Sequence, residues 1–178
     1  MLPETVNLSR SSGLFAEPFQ LALAGAGAGQ IIRYVIAAPA ATGADIPEPT
    51  AEPPAYSAPI AIDATVIVRA AVFSQDGLVS GRATTAHFLQ IGATLAGFST
   101  KHPVIVLDNL GAGALAKDGI DHPAWRYAHD AGAAGFPDAP ALTSAATMAV
   151  RGNFSSNFLK SSFSVTLLDD QGRNHPQP

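Results

Sequence analysis

Along this chain apolar and polar residues alternate with a period of two far more clearly than with the 3.6 of a helix. Phe19, Leu21 and Leu23 alternate with Gln20, Ala22 and Ala24, the pattern of a half-buried strand. Residues 30–36, rich in β-branched side chains, predict a second strand, with Gly25-Ala26-Gly27-Ala28-Gly29 as a hairpin turn between them. After Ile36 the run of Pro39, Pro47, Pro49, Pro53 and Pro54 forbids a helix and starves a ladder of donors, which predicts an exposed loop. Structure resumes at Ile60. The clearest strand is residues 65–73, with Val66, Val68 and Val72 on one face. Gln75-Asp76-Gly77 marks a hairpin turn, and residues 80–89 read as the closing strand. Short strands separated by turn signals predict a sandwich.

Residues 90–101 read as a linker. Beyond it, Val104-Ile105-Val106-Leu107 is an apolar run fit for a buried strand, residues 125–129 are a weaker strand, and residues 146–151 and 162–168 are stronger ones. Phe163, Val165 and Leu167 are expected to face inward and Ser164 and Thr166 outward. No helix of ordinary length is evident. The expected fold class is therefore all-β: a sandwich over residues 1–89, then a second β-rich domain over 102–178 that reads as incomplete.

Composition narrows the chemistry. Of the 178 residues 47% are hydrophobic and 13% charged, so a core is affordable, although much of the apolar share is alanine and the cores should be thin. A net charge of −4 gives no reason to expect nucleic acid as a partner. The absence of cysteine excludes disulfides, thiolate metal sites and cysteine nucleophiles. No apolar stretch approaches the ~20 residues of a membrane span. Met1-Leu2-Pro3-Glu4-Thr5 lacks the basic-then-apolar layout of a signal peptide, so an export signal would lie upstream.

Each half resembles a known family. Gly13-Leu14-Phe15, Phe19-Gln20-Leu21-Ala22-Leu23, Ile32-Arg33-Tyr34, Tyr56, Pro59-Ile60-Ala61-Ile62 and residues 64–70 are similar, in order and spacing, to the chitobiase/β-hexosaminidase C-terminal-type repeat of bacterial surface proteins. That resemblance covers residues 6–88 and implies an immunoglobulin-like or fibronectin-III-like sandwich. The Thr-x-Asp-Gly turn usual in that family is replaced by residues 35–39. From His102 onward, residues 103–108, 150–156 and 158–165 resemble the N-terminal part of CotH-family proteins, which include atypical spore-coat kinases. In that family the acidic residues that handle nucleotide and metal lie mostly further along, so no catalytic residue and no cofactor is expected here.

The motifs that carry chemistry are weak. Neither Gly25–Gly29 nor Gly111-Ala112-Gly113 has the third glycine and following helix of a dinucleotide loop, nor a Walker lysine. The histidines, His87, His102, His122, His129 and His175, show no metal-binding spacing and are expected mostly in exposed loops. Asp108, Asp118 and Asp121 lack the alternating order of a calcium loop and are expected in a solvated turn. Two candidates remain. Arg151 and Lys160, flanking a Gly/Asn/Ser-rich turn, can hold an anion; the alternative is two exposed strand ends. Trp125 and Tyr127, two apart and therefore on one face of a strand, can form a sugar platform; the alternative is a pair of core aromatics.

The expected function is a non-catalytic spacer or adhesion module of a secreted or cell-surface bacterial protein, supporting a downstream CotH-like domain. Its expected partners are other domains of the same polypeptide, carbohydrate or a surface protein. A carbohydrate-binding module and the front portion of a CotH-type protein kinase are the alternatives.

Overall fold

The computed structural model describes residues 4–39, 46–52, 55–78, 81–130, 139–152 and 161–168. They form fourteen strands and one short helix: β1 (Glu4–Thr5), β2 (Asn7–Leu8), β3 (Gly13–Phe15), β4 (Phe19–Leu21), β5 (Leu23–Ala24), β6 (Gln30–Ala37), β7 (Ile60–Ile62), β8 (Val66–Ser74), β9 (Gly81–Arg82), β10 (Thr84–Gln90), α1 (Ala93–Ala96), β11 (Val104–Asp108), β12 (His122–His129), β13 (Leu142–Arg151) and β14 (Ser162–Leu167). Two compact units result, the first holding β1 to β10 and α1 and the second β11 to β14.

The first unit is an all-β sandwich. One layer is the sheet β3-β10-β8-β6, in which β10 pairs parallel with β3 and the other neighbours are antiparallel. The other layer is built from the pairs β2-β5 and β4-β7. Alternation explains the core. Val68, Ala70 and Val72 of β8 point to the same side as Ile32 of β6 and Ala86 and Phe88 of β10, and meet Leu21, Leu23, Ile60 and Ile62 of the opposite layer. The ring of Phe19 stands edge-on to Phe15 and Phe88, with centroids 5.2 Å away in both cases. Arg10 lies 4.3 Å over the outer side of Phe19 and donates to Leu14 O at 2.8 Å.

Several expectations need correcting. The run Phe19–Leu23 is not one strand: it breaks at Ala22, where Ser9 accepts and donates to that residue's backbone at 2.9 Å. The glycine-rich turn is not a hairpin, because β5 pairs with β2 whereas β6 pairs with β8. It carries the chain from one layer to the other. Gly25 is required there: its φ is +117°, and a Cβ would lie 2.5 Å from Thr5 O. The proline-rich segment, among its described residues, is the largely exposed loop expected, but it is tied to the sheet. Tyr56 N–H donates to Ile32 O at 2.8 Å, Ala55 bridges Arg33, Glu48 pairs with Arg69, and Pro49 is buried. The stretch expected to be a linker begins inside β10, and Ile91 is buried, its N–H donating to Phe15 O at 2.8 Å. The Asp76-Gly77 turn stands as expected: Gly77 has a φ of +85° and donates to Ser74 O at 3.0 Å between β8 and β10.

The second unit is a four-stranded antiparallel sheet in sequence order, β11-β12-β13-β14. Register fixes its two faces. One carries Ile105 and Leu107; His122, Ala124, Arg126 and Ala128; Leu142, Ser144, Ala146, Met148 and Val150; and Phe163, Val165 and Leu167. Its core is small: Ala124, Ala146 and Met148, with Leu107, Leu167 and the loop residue Leu115 packed against them. The inward expectation for β14 holds only for Leu167. Phe163 and Val165 point to the same side but are 42% and 39% exposed, because the described residues lay nothing over that end of the sheet. Their neighbours Ser164 and Thr166 are half-buried on the opposite side.

Candidate functional site

The two sequence-level candidates sit at opposite extremes of exposure. Arg151 ends β13 opposite Ser162 and is exposed. Gly152 follows it with a φ of +100°. Lys160 and the residues between them, which were to complete the anion contact, lie outside the described residues. Trp125 and Tyr127 do share a face of β12, as their spacing required, but Tyr127 is wholly buried and Trp125 half-buried. A sugar ring needs an accessible aromatic face to stack upon. Tyr127 does not offer one, so the aromatic pair is arranged as core rather than as a platform.

That face of the sheet gathers the most unusual electrostatics of the second unit. Val104, Val106 and Asp108 of β11 stand opposite His129, Tyr127 and Trp125 of β12. Burial pushes the Asp108 carboxyl above its ordinary range, opposed by Leu110 N–H, which donates to it at 3.0 Å. Burial, and then the nearby Asp108 charge, pushes the Tyr127 hydroxyl well above the usual phenol range. Both shifts favour the neutral forms. A tyrosine harder to ionise is a poorer acid at neutral pH, so this cluster suits a buried polar core better than proton transfer.

The histidines differ from expectation. His87 on β10 and His129 on β12 are buried in strands, and His122 lies at the start of β12; of those described only His102 is an exposed loop residue, while His175 falls outside the described residues. Burial lowers the His87 pKa to about 4, keeping the ring neutral. Alternation did not reveal it, because both sides of β10 are buried: Ala86 and Phe88 in the sandwich core, His87 on the reverse side. His122 Nε2 lies 3.2 Å from Asp118 Oδ2. Asp118 also accepts from Ile120 N–H at 2.9 Å, the first cause of its lowered pKa. Asp121 is exposed and Asp108 is held at its own turn. Among the described residues no group of three or more His, Cys, Asp or Glu side chains is placed to hold a metal ion.

Set against family models, curated proteins and solved structures, the chain matches none. The structure itself therefore carries the functional reading. Of the CotH-like pieces, residues 104–108 form β11 and residues 150–151 end β13, while 153–160 lie outside the described residues. No helix among the described residues is long and apolar enough to cross a membrane.

Proposed function

We propose that this chain is a non-catalytic spacer or adhesion module of a larger extracellular protein, with an immunoglobulin-like first unit supporting the sheet that follows. One observation carries the reading: the first unit begins and ends on parallel strands. β1 runs parallel to β9, and β3 runs parallel to β10, the last strand of the sandwich. The chain therefore enters at the start of the β9–β10 segment and leaves at its end, about 30 Å away at ~3.3 Å per residue. A unit with its two connections at opposite ends extends a polypeptide; one with both connections at the same end does not.

The strand order supports the immunoglobulin-like assignment. In that architecture the first strand splits between both sheets, and the strands named A′, G, F and C face A, B and E. Here β3, β10, β8 and β6 face β2, β4/β5 and β7 in the same succession. The resemblances to the chitobiase-type repeat and to CotH-family proteins point to a bacterial surface protein as the host.

Load should follow the parallel pairs. Tension between the two ends shears all the β3–β10 hydrogen bonds together, whereas tension across the open end of the β8–β10 hairpin peels them singly. Because the chain has no cysteine, handles can be placed at will. Single-molecule pulling on a Thr5→Cys/Gly97→Cys variant should give one cooperative rupture at higher force than an Asp63→Cys/Gly92→Cys variant. Equal or lower force for the first pair removes the support for a spacer role.

A further inference from the structure

Asp-Gly occurs twice in this chain, at Asp76-Gly77 and Asp118-Gly119, and Asn-Gly does not occur. An aspartate followed by glycine is open to attack by its own backbone, because glycine places no side chain beside the attacking nitrogen. That nitrogen bonds to the side-chain carboxyl carbon, and its proton leaves with the carboxyl OH as water. Water then opens the resulting succinimide at either carbonyl, giving back aspartate or giving isoaspartate of the same mass. The structure treats the two sites differently. Gly77 is half-buried in the turn after β8, its N–H donates to Ser74 O at 3.0 Å, and a Cβ there would lie 3.2 Å from Ala51 Cβ. Gly119 lies in the loop between β11 and β12 and is exposed, as are Lys117, Asp118 and Ile120. Its N–H has no acceptor among the described residues, and nothing stands within 4 Å of the place a Cβ would take. The carboxyls do not separate the sites. The Ser74 hydroxyl holds Asp76, and Ile120 N–H with His122 holds Asp118, both below the usual carboxylate range. The nitrogen decides.

We infer that Asp118-Gly119 is a self-modification site of this protein, converting to isoaspartate through a succinimide, whereas the turn that holds Gly77 protects Asp76. Attack at Gly77 first breaks the hydrogen bond to Ser74 O and moves a glycine packed against Ala51. Attack at Gly119 breaks no backbone hydrogen bond among the described residues. The product also differs in what it holds. Isoaspartate routes the main chain through the former side chain, lengthening it by one carbon and displacing the carboxylate. Asp118 now accepts from Ile120 N–H at 2.9 Å and lies 3.2 Å from His122 Nε2, contacts that tie the end of this loop to the start of β12. The same loop carries Leu115 against Ala124, Ala146 and Met148. Isomerisation therefore loosens the loop that covers this small core. The site is independent of the spacer reading of the first unit.

The test incubates the full chain at 37 °C and neutral pH and follows isoaspartate at each site by peptide mapping with electron-transfer dissociation. In the folded chain Asp118 should convert at least about fivefold faster than Asp76, the factor that one ordinary backbone hydrogen bond supplies. In urea, where neither turn exists, the two rates should converge. Asp118→Glu should remove the signal at this site, because the ring would then need six members, and leave that at Asp76 unchanged. Chains enriched in the modified form should show shifted methyl resonances for Leu115 and Met148. Equal conversion of the two sites in the folded chain, or faster conversion at Asp76, overturns the proposal. So does a difference that persists in urea, since the cause would then be local sequence rather than structure. Unchanged Leu115 and Met148 resonances in the modified chain overturn the loosening of the loop.

Discussion

The two units bury their sheets to very different depths. In the first, two layers close on Phe15, Leu21, Ile62, Val68, Val72 and Phe88, all buried. In the second, the sheet buries Tyr127 and His129 on one face, whereas the other packs Ala124, Ala146 and Met148 beneath a loop residue and leaves Ile105, Leu142, Phe163 and Val165 exposed. The strands of both units carry β-branched and aromatic residues, so strand composition does not make the difference. A second layer does. An apolar side chain stabilises a fold only when something lies opposite it, at about 25 cal/mol per Å² removed from water. On the face that the described residues cover with a loop contributing Leu115, only the residues beneath that loop gain.

Placing one charge in each unit sharpens the contrast most. Val68, at the centre of β8, is completely buried, and Val68→Asp should abolish folding of the first unit, since an unpaired buried carboxylate costs several kcal/mol. Val165→Asp, on a partly exposed edge strand, should cost no more than about 1 kcal/mol. Urea denaturation followed by circular dichroism checks both. Comparable losses at the two sites would mean that the second sheet is covered as fully as the first.

Acid should separate the units next. His87 belongs to the first unit, and its folded pKa of about 4 lies below the ordinary histidine value of 6.5. The unfolded state therefore binds the proton more tightly. The stability that comes from keeping this ring neutral is fully present above pH 6.5 and is lost as pH falls toward 4. The loss amounts to roughly 3 kcal/mol once the ring is charged in both states. Urea midpoints at pH 7.5 and 4.5 should fall steeply for the native chain and less for His87→Leu. A slope unchanged by that substitution would place the acid sensitivity elsewhere.

The smallest effect distinguishes the turns. Gly25 and Gly111 both have positive φ, +117° and +82°, but only at Gly25 would a Cβ meet backbone, the Thr5 carbonyl oxygen. Gly111→Ala should cost about 1 kcal/mol from φ strain alone, and Gly25→Ala distinctly more, read as shifts in thermal midpoint. Equal shifts would show that β1 yields to make room.

Much of this was legible along the chain. Period-two alternation located β6, β8 and β14 nearly to their ends, and Asp76-Gly77 marked its hairpin, because pleat and turn geometry act over a few residues. Strand pairing was less accessible. Nothing local tells Gly25–Gly29 to cross between layers rather than fold back, since a flexible glycine run satisfies either path and the choice is made by where β2 and β8 lie. Burial of the candidate residues was decided in the same non-local way. Spacing put Trp125 and Tyr127 on one face, yet whether that face met solvent depended on what packed over it. Likewise His87 alternates away from Ala86 and Phe88 as an outward residue should, and only the burial of the reverse side of β10 makes it a core histidine. Sequence alone determined the class of fold, since strand periodicity, turn residues and the absence of cysteine are properties of neighbouring residues. Which strands pair, and which apolar faces find a cover, came only from the tertiary structure, because those depend on contacts between residues far apart in the chain.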